Sequence, residues 1–108
     1  MMNNYNIEDI DDIEDKRKEL SIEYKALELE YNALEFEYKH PELNNNLFEQ
    51  ITKCNQKASY CNQNADICDK LALICNNKHL MCELKTLMCK YKALMCKYKA
   101  LECNFKSN

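Results

Sequence analysis

The chain has 108 residues with no glycine and a single proline, and 31% of its side chains are charged. Tight hairpins and glycine-rich phosphate loops are thereby disfavoured, and no apolar run approaches the ~20 residues that a membrane-spanning helix requires. The net charge of −3 conceals two opposed parts: residues 1–46 carry 13 acidic and 5 basic side chains (−8), whereas residues 47–108 carry 5 acidic and 10 basic ones (+5).

Leucine, lysine, glutamate and alanine at seven-residue spacing place the chain in the all-α class, as long helices of the coiled-coil type. The first element occupies residues 1–39. Asn6 followed by Asp9 reads as a helix start near Ile7, and the acidic run from Glu8 to Asp15 suits the positive end of the helix dipole. A seam of Ile10, Ile13, Leu20, Tyr24, Leu27, Tyr31, Leu34 and Tyr38 follows, interrupted by Arg17. Residues 40–46 break the helix, because Pro41 lacks a donor and disfavours helical backbone at the residue before it. Asn46 with Glu49 is an N-cap signature that restarts a helix at Leu47.

The second element is read as one helix over residues 47–108, about 90 Å long at ~1.5 Å per residue, against about 50 Å for the first. Its eight cysteines, Cys54, Cys61, Cys68, Cys75, Cys82, Cys89, Cys96 and Cys103, share one heptad position. Each one after the first would fall there by chance about one time in seven. With mostly small residues at the companion position (Ile51, Ala58, Ala65, Ala72, His79, Thr86, Ala93, Ala100), they form a Cys/Ala core seam along the whole helix. A second stripe, Leu73, Leu80, Leu84, Leu87, Tyr91, Leu94, Tyr98, Leu101 and Phe105, exists only in the later half, so that half is apolar on two sides. The cysteine slot corresponds to Ile22, Leu29 and Phe36 in the first helix, as the matching repeats Leu29-Glu-Tyr-Asn-Ala-Leu and Cys89-Lys-Tyr-Lys-Ala-Leu show, and is expected to be buried in both.

A Cys/Ala seam is short of volume for a coiled-coil core. Thiolates are soft metal ligands, but cysteines seven apart on a helix stand about 10 Å apart, too far for two of them to hold one ion. The expected sites therefore collect one thiol per chain from several chains at one level. A parallel tetramer of the long helix is favoured, with a trimer as the alternative; four thiols per layer match a [4Fe-4S] cluster, and the space left by alanine suits a bulky one. The expectation is thus an all-α homo-oligomer whose eight cysteines ligate a stack of [4Fe-4S] clusters for electron transfer or storage, working with a redox partner protein. Copper(I) or zinc storage is the alternative cofactor reading, supported by methionines before Cys82, Cys89 and Cys96. A structural coiled coil with buried or disulfide-linked cysteines is the third.

Lysines three residues after six of the cysteines, from Lys57 to Lys106, would favour thiolate or serve only as a solvated flank. His79 reads as a packing residue rather than a ligand. No acid–base or nucleophile constellation is present, so no enzyme is expected. The acidic first helix is a nearer partner for the basic part than nucleic acid. With neither leader nor membrane span, the expected location is the cytoplasm.

Overall fold

In the computed structural model, residues 10–107 are described; the cap expected at Asn6 and the helix start at Ile7 lie outside them. The chain is all-helical. Three helices, α1 (Ile10–Lys39), α2 (Leu47–Ile74) and α3 (Lys78–Lys106), lie side by side, and no strand occurs among the described residues. α1 stops one residue before His40-Pro41, and the Asn46 side chain caps α2 by accepting the Glu49 N–H at 3.1 Å.

The single helix expected over residues 47–108 is corrected by a break at residues 75–77. Cys75 (φ −85°, ψ 129°) and Asn77 (φ −93°, ψ 118°) are extended, and the Asn77 side chain accepts the Leu80 N–H at 2.8 Å to start α3. The reason lies in the two stripes. α2 has mainly its Cys/Ala side to bury, because the stripe that carries leucine and tyrosine in α3 is polar in α2 from Thr52 to Lys70. α3 has a large Leu/Tyr side. A straight helix would leave both half-covered, whereas reversal at residues 75–77 lays the large side of α3 against the small side of α2. Extents of 57 × 24 × 16 Å replace the expected rod of about 90 Å.

The reversal divides the cysteines. Cys54, Cys61 and Cys68 are fully buried and Cys75 nearly so, while Cys82, Cys89, Cys96 and Cys103 are exposed. The cysteine slot expected to be buried throughout is buried only in α2. Its counterparts in α1 also face outward, Ile22 and Leu29 at 69% exposure and Phe36 at 54%. What fills the core beside the small α2 seam is aromatic: Tyr91 and Tyr98 of α3 are fully buried, and Tyr24 and Tyr31 of α1 pack against the same core.

α1 folds back on its own chain. It runs parallel to α3, with edge-to-face ring pairs Tyr24–Tyr91 and Tyr31–Tyr98 (centroids 5.4 Å apart) and Tyr38–Phe105 (5.2 Å). Such pairs contribute about 0.5–1.5 kcal/mol each beyond their area. The Tyr91 and Tyr98 hydroxyls donate to the Leu20 and Leu27 carbonyls of α1, so both buried phenols have partners. Against α2, α1 runs antiparallel through a polar ladder: Glu23 accepts from buried Asn64 (2.9 Å), Glu30 pairs with Lys57 (3.1 Å) and Glu37 accepts from buried Gln50 (3.0 Å).

One residue type at one heptad position therefore occupies two environments. Cys61→Leu should overpack the core and cost about 1–3 kcal/mol in denaturant unfolding, whereas Cys96→Leu on the outer face should change stability by less than about 0.5 kcal/mol. Equal effects would contradict the division of the cysteines.

Candidate functional site

The outward turn of the later cysteines follows from the residues beside them. Each exposed cysteine of α3 has a buried residue two positions away on both sides: Leu80 and Leu84 flank Cys82, Leu87 and Tyr91 flank Cys89, Leu94 and Tyr98 flank Cys96, and Leu101 and Phe105 flank Cys103. At about 100° per residue, two positions either way point to the far side of the helix. Thr86, Ala93 and Ala100 share that far side and are exposed. In α1, Ile22, Leu29 and Phe36 stand in the same relation to the buried Leu20, Leu27 and Leu34 and to Tyr24, Tyr31 and Tyr38.

The two sets of thiols differ in chemistry. Burial pushes Cys54, Cys61 and Cys68 up from an ordinary 9.0 to about 11, so they stay protonated at neutral pH and behave as small hydrophobes. Cys61 lies near enough to Tyr24, Tyr91 and Tyr98 to raise their pKa values electrostatically, although burial is the larger cause. These thiols share one buried core with the Tyr91 and Tyr98 rings. Cys75 sits in the break, its Sγ 3.4 Å from the Asn77 carbonyl that accepts its hydrogen.

No disulfide joins any two of the eight cysteines within the chain, and among the described residues no three His, Cys, Asp or Glu side chains converge as a metal site. The four outer thiols stand about 10 Å apart along α3, so one chain offers one thiol per level. Lys85, Lys92 and Lys99 line one side of that row without an acidic partner among the described residues. On the other side, Lys90 and Lys97 lean over the Tyr24 and Tyr31 rings at 5.9 and 5.7 Å. Lys57, three residues after Cys54, pairs with Glu30 and lies near enough to Cys61 to oppose part of the rise that burial causes there.

A groove of about 290 Å³ between α1 and α3 gathers Arg17, His79, Cys82 and Glu83. Glu83 lies 3.7 Å from Arg17 and 3.6 Å from His79, which is 85% exposed. Arg17 is held mainly by Glu14 at 2.8 Å. The imidazole is thus turned to a carboxylate at the surface, and no hydrogen bond joins it to the Cys82 thiol.

Charge is segregated with the helices. α1 carries 10 acidic and 5 basic side chains (−5), α2 three of each, and α3 two acidic and seven basic (+5). The residues missed in reading the sequence are Asn76 and Asn77; the signal available was Asn77 three positions before Leu80, where the buried stripe of α3 begins.

Brief alkylation of the native protein with iodoacetamide, followed by peptide mapping, should modify Cys82, Cys89, Cys96 and Cys103 and leave Cys54, Cys61 and Cys68 unmodified until denaturant is added. Stability should also depend on pH. With the buried thiols raised to about 11, the folded chain keeps protons that the unfolded chain releases. Their stabilisation is full below the ordinary thiol value and is lost as pH rises toward 11. The melting temperature should fall through that window, and the fall should flatten in a Cys54→Ala/Cys61→Ala/Cys68→Ala variant.

No protein-family model, curated protein or solved structure matches this chain.

Proposed function

We propose that the chain is a non-enzymatic assembly module, a coiled-coil protein that self-associates through helix faces left open on its outside. The observation that carries this reading is the line of Ile22, Leu29 and Phe36 opposite the core side of α1, more than half exposed and spaced by one heptad. Isolated exposed apolar residues are ordinary, but a regular line of large ones on a helix is the form of a coiled-coil seam. α3 carries a second outward seam of Cys82, Cys89, Cys96 and Cys103 with Thr86, Ala93 and Ala100. No helix is long and apolar enough to cross a membrane among the described residues, and the groove at Arg17 offers no paired nucleophile and base.

The metal-thiolate reading is retained as the second one, confined to Cys82, Cys89, Cys96 and Cys103, which are exposed and lie in a line beside lysines. Ligands for iron–sulfur clusters, copper(I) or zinc would come from several chains at each level, because one chain supplies a single thiol there.

Sedimentation velocity over a range of concentrations tests the assembly reading. The wild type should sediment as species heavier than one 12.9 kDa chain, and Ala93→Glu/Ala100→Glu, placed on the exposed face, should weaken association with helix content unchanged. A wild type that stays monomeric at every concentration sinks it. Iron, copper and zinc analysis of anaerobically purified protein separates the second reading: metal lost when the four outer cysteines become alanine supports it, and metal-free assemblies argue for assembly alone.

A further inference from the structure

We infer that the outer face of α1 receives the outer face of α3 from a second copy of the chain, so that copies join head to tail rather than as a two-fold dimer. This rests on the assembly reading and names its partner and geometry.

The first support is a template inside the molecule. The buried α2 seam, Cys54-x3-Ala58-x2-Cys61-x3-Ala65-x2-Cys68, has the same order as the outer α3 seam, Cys89-x3-Ala93-x2-Cys96-x3-Ala100-x2-Cys103. In α2 that pattern packs against large side chains of its neighbours. The outer α3 face has no such cover in one chain. The large side chains it lacks stand uncovered on α1 as Ile22, Leu29 and Phe36, with the same seven-residue spacing. Large residues set into a small-residue seam fill it, as native packing density requires.

The second support is charge. α1 is −5 and α3 is +5, so α3 against α3 repels, whereas α1 against α3 attracts. Glu23, Glu30 and Glu37, which also bond α2, border the outer face of α1 on one side, and Lys85, Lys92 and Lys99 border the outer face of α3. The pairing is heterologous, since each copy uses a different face to give and to receive, and it extends until the rotation between copies closes a ring.

Two half-blocked variants test it. Leu29→Glu closes the receiving face and Ala93→Glu the donating one; both positions are exposed, and circular dichroism should find each variant as helical as the wild type. By sedimentation velocity the wild type should form a series of oligomers that grows with concentration, and each variant alone should be monomeric. An equimolar mixture should give a species at twice the 12.9 kDa chain mass that grows no further, because its free ends are both blocked. Association of the Leu29→Glu variant alone would overturn the inference in favour of α3–α3 pairing while leaving the assembly reading in place. Association of the Ala93→Glu variant alone would do the same in favour of α1–α1 pairing. A monomeric wild type would overturn both.

Discussion

The structure depends on a match of volumes. α2 presents cysteine and alanine, which by themselves leave a helix core under-filled, and α1 and α3 present tyrosine and leucine, which by themselves need room. Tyr91 and Tyr98 are fully buried beside Cys54, Cys61 and Cys68, which are fully buried as well. Neither set would make a dense core against its own kind: small against small leaves voids, and large against large keeps the helices apart. The position of the break is a consequence, since residues 75–77 stand where the small seam of α2 ends and the large stripe of α3 begins.

Polar groups settle what volume alone leaves open, namely which helix lies beside which and in what direction. The phenol of a buried tyrosine needs an acceptor, and Tyr91 and Tyr98 take theirs from the α1 backbone at Leu20 and Leu27. Two buried amides, Asn64 and Gln50, reach Glu23 and Glu37. An unpaired polar group in such a place would cost about 1–3 kcal/mol, so the arrangement that satisfies all four is preferred over others of similar packing. The thiols ask little by comparison: as weak donors, they enter the core as hydrophobes and leave the specificity to oxygen and nitrogen.

Much of this was legible in the residues. The all-helical class, the a/d seam of α1 and its stop before Pro41 follow from periodicity and from proline's missing donor. The direction of the cysteines was legible too, but only from their neighbours. Two positions from Cys61 stand Ser59 and Gln63, so the thiol opposes polar side chains and turns inward; two positions from Cys96 stand Leu94 and Tyr98, so it opposes apolar ones and turns outward. Spacing alone treats the two alike, and it suggests one continuous row. The break at Asn76-Asn77 was concealed because asparagine is tolerated in helices, unlike proline. What decided it was a long-range gain, the covering of one seam by another about 30 residues away, which no local signal reports. Partner chains and metal ions lie beyond such signals for the same reason.

Repetition has its own consequence. The ring pairs advance from Tyr24–Tyr91 to Tyr31–Tyr98 and the polar ladder from Glu23–Asn64 to Glu30–Lys57, each by one heptad. A slip of any helix by seven residues would therefore recreate most of the contacts it destroys, and the interior of the bundle is nearly blind to such an error. Registration is left to the features that occur once. Arg17 stands where the repeat has tyrosine and lies beside Glu14 and Glu83. At the other end, Gln50 is tied both to Glu37 and to the Asn44 carbonyl in the turn. The two ends act as the stops of a ruler whose middle is unmarked, and a sequence of this kind can grow or shrink by whole heptads in all three helices while its ends stay as they are.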